Sequence, residues 1–171
     1  MPDSLIPARP RRTALAGRPG DGRARAAPPM ARFSLRLADS TGLDLPVAIN
    51  SSLTANGRTA LRLGPDEFLL LLPEGEAPAT AFPQPHALVD ISHRQSAILL
   101  DTPHAAAMLN AGCPLDLDER AFPVGMATRT LFMKADIVLW RTGGDSFHIE
   151  VWRSFAPYVW SLLKVVGQEY P

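Results

Sequence analysis

A single cysteine, Cys113, stands in the whole chain. No intrachain disulfide can form, which fits a reducing cytoplasm better than secretion. No apolar run approaches the roughly 18 residues that span a bilayer, and no hydrophobic stretch of a signal peptide is visible, so no membrane partner is expected. The four histidines, His86, His93, His104 and His148, fall in no HExxH pattern and in no spacing that makes a metal face. No metal site is assigned. Neither GxGxxG nor GK(S/T) occurs, so Gly143 and Gly144 read as turn residues rather than a nucleotide cradle. Lysine and arginine after Met30 are scattered, which leaves no basic face for nucleic acid.

What is present is a chain of 171 residues, long enough to bury its own core as one domain without disulfides or a structural metal. Its formal charge of zero is unevenly spread: six arginines against two aspartates make residues 1–30 +4 and leave −4 for the rest. The same segment holds six prolines, three glycines and no aromatic residue, so ordering it would cost entropy with little apolar burial in return. The expectation is a disordered Arg/Pro-rich tail over residues 1–30 and a single domain over residues 31–171. A basic arm or an organelle address competes with the blander reading of a translated leader ahead of Met30.

The most legible stretch runs from Asp136 to Val166 and holds all three tryptophans. Alternation through Ile137 to Trp140, a Gly143, Gly144, Asp145 turn, and Phe147, Ile149 and Val151 on one face predict a hairpin. Phe155, Tyr158, Val159, Leu162, Leu163 and Val166 then recur at helical spacing, with Ser154 as N-cap, Pro157 in the first turn and Gly167 as a left-handed C-cap. Earlier, Phe33, Leu35 and Leu37 suggest a first strand, followed by a loop through Asn56 and Gly57. Thr59–Leu63 and Glu67–Leu72 flank a Gly64, Pro65, Asp66 turn, and the run Leu69–Leu72 predicts a central strand covered on both faces. Strands are expected over Leu88–Ser92 and Gln95–Leu100, then a short helix capped by Thr102. Ala127–Met133 should pair with Asp136–Arg141 across Lys134 and Ala135.

Candidate chemistry is sparse. Cys113 follows a predicted helix C-terminus, the wrong end of the dipole for a thiolate, and reads as a buried structural cysteine. Asp90, His93 and Arg94 share one turn and could bind an anion or move a proton. The structural alternative has Asp90 and Ser92 satisfying backbone amides and Arg94 pairing a nearby carboxylate. His148, Glu150 and Trp152 are expected on the outward face of their strand. Trp140, Trp152 and Arg153 are residue types enriched where one chain buries surface against another, with core packing of the indoles as the alternative. His93, Arg94, Trp140, Trp152 and Arg153 are the candidate interface residues, and no catalytic or cofactor-binding residue is assigned.

Four motifs, VDISHRQSAILL, AGCPLDLDERAFPVG, RTLFMKADIVLWR and FHIEVWRSFAPYVW, resemble in this order the gamma subunit of heterotetrameric sarcosine oxidase. The resemblance covers roughly Phe33 to Val166. It implies an α+β fold, an antiparallel sheet with packed helices, similar to the folate-binding domain of the glycine cleavage T-protein. It further implies a non-catalytic subunit working with alpha, beta and delta chains that carry FAD, FMN, NAD and tetrahydrofolate and demethylate sarcosine to glycine. The T-protein's catalytic aspartate lies in a GGxxDD-like connection. Here only Lys134, Ala135 and Asp136 remain, and the KGCYxGQE motif of folate-dependent relatives is absent. A free-standing folate-binding or aminomethyltransferase-like protein using Asp136 is the alternative.

Overall fold

A computed structural model describes residues 13–78, 82 and 84–170. Among these residues ten strands form two five-stranded sheets, and every pairing between them is antiparallel. The first sheet has the order β1-β7-β10-β9-β8 and the second β3-β4-β5-β2-β6. Their bounds are β1 Ala24–Ala26, β2 Met30–Leu37, β3 Ser51–Ala55, β4 Arg58–Arg62, β5 Glu67–Pro73, β6 His86–Asp90, β7 Gln95–Asp101, β8 Ala127–Phe132, β9 Ala135–Gly143 and β10 Ser146–Trp152. Helix α1 spans Ala105–Asn110 and α2 Ala156–Val166. The α+β class and the antiparallel pairing agree with the sequence reading.

Period-two alternation decides which layer each side chain joins. On the first sheet Ile98, Leu100, Ile137, Leu139, Phe147, Ile149 and Val151 pack on both helices, against Met108, Leu109, Val159, Trp160 and Leu163. Its other face meets the second sheet through Val138, Ala127, Leu61, Leu69 and Leu71. The far face of the second sheet carries Leu35, Phe68, Leu70 and Leu72, covered by Leu43, Leu45 and Phe82 from loops. Strand β5 lies third of five in its sheet, central and buried on both faces, as Leu69–Leu72 predict.

Burial on both faces of β10 overturns one expectation: His148 and Glu150 do not face outward but lie between the sheets, buried. Trp152, at the strand end, does stay exposed. The helical stripe is also rotated. Ala156, Val159, Trp160 and Leu163 are buried while Phe155 and Tyr158 are exposed, because the helix turns its Trp160 side to the sheet. Phe155 rather than Ser154 occupies the N-cap position and no side-chain cap bond forms. Gly167 is not left-handed: its φ is −60° and the chain runs on as a 3₁₀ turn over Gly167–Glu169. Close approach is the reason for glycine there, since Met108 Cε and Arg23 Nη1 lie 3.2 and 3.3 Å from where a Cβ would sit.

Residues 13–30 are not a tail. Strand β1 pairs with β7, placing Ala24 opposite Leu100, and Leu15 is buried in the helix-side core. Arg23 Nη1 donates to Gly167 O at 2.5 Å, tying the segment to the end of α2. Composition undervalued three alanines and a leucine that fill space beside an otherwise open strand edge. The rest of the expected tail, residues 1–12, lies outside the described residues. Deletion of residues 1–26 should therefore lower the unfolding free energy by at least about 2 kcal/mol, the burial of one leucine alone. A urea titration reads it; an unchanged midpoint would return the segment to the status of a tail.

The β3–β4 hairpin also went unread in the sequence. Asn56 and Gly57 turn it with φ of 52° and 74°, both in the left-handed region that two-residue hairpin turns require. The β8–β9 turn is Met133–Lys134 rather than Lys134–Ala135, with Met133 at φ 53°.

Candidate functional site

The β6–β7 turn and the β10–α2 junction come together at one end of the sheets. Arg153 N donates to Arg94 O at 2.8 Å, and Arg94 N donates to Ile91 O at 2.9 Å. The two segments wall an open groove of about 580 Å³ lined by His93, Arg94, Trp152, Arg153 and Pro157. Ala14, from the segment expected to be disordered, completes it. The Arg94 guanidinium lies 5.4 Å from the Trp152 ring centroid, a cation on an aromatic face that leaves the indole 46% exposed. Four of the five candidate interface residues are thus neighbours. Trp140 lies apart and half-buried, packed against the core between the sheets, its ring 5.6 Å from that of His148.

The Asp90 turn follows its structural reading in part. Asp90 Oδ1 accepts from Ser92 N at 2.8 Å, and Ser92 Oγ accepts from Arg32 N at 2.9 Å. Hydrogen bonding by Ser92, from its side chain and its amide, holds the Asp90 carboxyl below its ordinary range. Arg94 departs from the reading. It pairs with no carboxylate among the described residues and lies on Trp152 instead.

Between the sheets sits a polar cluster that sequence reasoning missed. Arg32 Nε on β2 donates to Glu150 Oε2 on β10 at 2.7 Å, and His148 Nε2 lies 2.8 Å from Glu150 Oε1. Glu150 is only 1% exposed. Burial pushes its carboxyl up, but the hydrogen bond and charge of His148, then those of Arg32, outweigh it and hold the group below the usual carboxylate value. The cluster joins the two sheets and is far too enclosed to receive a substrate. An arginine in one apolar strand and a glutamate in another were the available signal, but only the facing of the two sheets makes them partners.

Beside this cluster the first sheet carries a cleft of about 110 Å³ lined by Gln95, Arg129, Asp136, Glu150 and Trp152, among others. Asp136 reaches it from the start of β9 and is exposed. Cys113 is buried and free, its Sγ 3.6 Å from Thr130 Oγ1, in keeping with a structural role. Among the described residues no three His, Cys, Asp or Glu side chains are placed to hold a metal ion. No helix among them is long and apolar enough to cross a membrane.

Two sheets back to back with helices on one outer face define the class first. The glycine cleavage aminomethyltransferase T from Bartonella henselae superposes with a TM-score of 0.60 at 16% identity, over 82% of this chain and 44% of that one, which establishes the shared fold. Within that class the assignment is narrower: residues 23–169 match the sarcosine oxidase gamma subunit family, and the chain belongs to it. Sarcosine oxidase subunit gamma of Corynebacterium sp. (strain P-1) is 36% identical over 128 residues, 71% of this chain and 63% of that protein. The Arthrobacter sp. subunit gamma is 37% identical over 119 residues, 66% of this chain and 59% of its own length. The aligned region thus spans about three-fifths of the length of these relatives. A chain of the heterotetrameric sarcosine oxidase from Corynebacterium sp. U-96, solved in complex with pyrrole 2-carboxylate, superposes with a TM-score of 0.81 at 30% identity. That match covers 94% of this chain and 96% of that one.

Proposed function

We propose that this chain is a structural, non-catalytic subunit of a heterotetrameric sarcosine oxidase, docked against neighbouring subunits through the Trp152, Arg94, His93 and Arg153 face. The carrying observation is the near end-to-end superposition on one chain of a solved heterotetramer of that name. In this reading the alpha, beta and delta chains carry FAD, FMN, NAD and tetrahydrofolate and convert sarcosine to glycine with transfer of the one-carbon unit. The assembly works in the cytoplasm, in keeping with a lone, buried cysteine.

An exposed tryptophan with a guanidinium on its face is the kind of anchor that carries binding energy at the centre of an interface. Its burial against a partner would convert the open groove into packed contact. Co-expression of the tagged full-length chain with the alpha, beta and delta chains should yield a complex whose eluate shows a flavin spectrum. Trp152→Ala should weaken retention of this subunit by at least about 2 kcal/mol while the chain itself stays folded, since the indole is already half in water. A colourless monomer that binds tetrahydrofolate saturably, and loses that binding in Asp136→Asn, would overturn the proposal in favour of a folate protein.

A further inference from the structure

The cleft beside the Arg32–Glu150–His148 cluster is asymmetric in a way the groove is not. In the sheet register Gln95 pairs with Trp152 and Val151 with Ile137, so Trp152 and the next residue, Asp136, lie side by side on the face that looks toward the second sheet. One row inward, Ala97, Glu150, Val138 and Arg129 are adjacent in the same way; the first three are buried and Arg129 is exposed. Gln95, the first residue of β7, and Trp152, the last of β10, thus share the end row of the sheet with Asp136, and all three line the cleft.

The polar groups there do not balance. Glu150 is satisfied by Arg32 and His148. Arg129 is held by Glu67. The exposed Asp136 carboxylate has no ion-pair partner or side-chain hydrogen bond among the described residues. Gln95 is more than nine-tenths buried, and its Oε1 accepts no hydrogen bond although it is shielded from solvent. A buried acceptor without a donor is costly, and native structures keep few of them. Beside it stand an uncompensated carboxylate and an aromatic face. The missing group is therefore a donor, cationic and able to lie flat on an indole.

We infer that the Gln95–Asp136–Trp152 cleft receives an arginine side chain of an adjoining subunit, its guanidinium donating to the Asp136 carboxylate and to Gln95 Oε1 beside the Trp152 ring. This rests on the subunit reading above and locates an anchor within it. A guanidinium offers a planar fork of donors that can serve two acceptors at once and stack on an aromatic ring, which a lysine ammonium cannot match. The cleft's volume of about 110 Å³ suits such a head group. It falls well short of the roughly 300 Å³ at which pockets for cofactor-sized molecules begin. Trp152 lines both this cleft and the open groove, so one continuous surface would bury both.

The test uses the co-purified complex and follows release of this subunit across a sodium chloride series. Asp136→Asn and Asp136→Arg should each speed release by at least about tenfold, because truncating one side of a buried charge pair acts mainly on the dissociation rate. Gln95→Leu should also speed release while raising the urea midpoint of the chain alone, since it removes the orphaned acceptor. Glu119→Arg, an exposed charge change in the α1–β8 loop, should release like the wild type. If the wild-type complex forms and both Asp136 variants release at its rate, the inference fails and the subunit reading stands. If no complex forms, the subunit reading fails and takes the inference with it. Saturable quenching of the isolated chain's tryptophan fluorescence by methylammonium chloride, lost in Asp136→Asn, would overturn the inference by showing a site for free small amines.

Discussion

Replacing Glu150 by alanine is expected to destabilise the fold by about 3–5 kcal/mol, the range for breaking a buried ion pair from one side. Arg32 and His148 would be left facing each other between the sheets, both buried, with no carboxylate to satisfy them. The paired replacement Arg32→Met with Glu150→Leu should cost less than either single change, since it removes both halves of the Arg32–Glu150 pair and leaves only His148 without its partner. Urea titrations of the three variants read this directly. Equal losses in the single and double variants would mean that packing rather than charge sets the effect.

The same cluster sets a pH dependence whose sign follows from the direction of the shift. Glu150 titrates lower in the folded chain than its ordinary value of 4.5. The unfolded chain therefore binds the proton first as pH falls, and stability is lost as pH drops through the folded value. Above the unfolded value the contribution is complete. The stability gap between wild type and Glu150→Gln should accordingly be full at neutral pH and shrink below about pH 4. A gap that widened in acid would contradict this account of the cluster.

Arg141→Ala should be the second most damaging change, at about 2–5 kcal/mol for orphaning two buried carbonyls. Its Nη1 donates to Leu117 O and Phe122 O at 3.1 and 2.8 Å, and its Nε and Nη2 reach Gly144 O at 3.1 and 2.6 Å. The guanidinium also lies 5.0 Å from the Phe147 ring centroid. One side chain thus pins the long α1–β8 loop to the β9–β10 hairpin. Arg141→Lys should not rescue, because an ammonium cannot reach both sets of acceptors. Denaturation measures the loss, and limited proteolysis should show new cleavage within residues 111–126. A variant with wild-type midpoint and digestion pattern would show that the loop holds itself.

The C-terminal half was legible because its signals were local. Apolar alternation marks β9 and β10, and the Gly143, Gly144, Asp145 run fixes their turn. Strand β3 had no such mark: its residues are exposed or half-buried on an edge, so no hydrophobic period appears in Ser51–Ala55. The Asn56-Gly57 pair is the one cue to a hairpin there, and without a flanking apolar period it reads as the close of a loop. His148 and Glu150 were misplaced for a different reason. A strand covered on one face and a strand covered on both share the same period of two. Only the presence of a second sheet, with Arg32 on it, makes an inward Glu150 affordable. His93, Arg94, Trp152 and Arg153, singled out by residue type and turn position, come together around one groove, but the contribution of Ala14 depends on chain packing that composition argued against.

On the proposed function this 18.5 kDa chain works as one part of a larger assembly. The most direct test is native mass spectrometry of the tagged full-length chain after co-expression with the alpha, beta and delta chains. The account predicts a single species whose mass equals one copy of each chain plus bound flavin. A peak at the mass of this chain alone, with the other three assembled without it, would contradict the account.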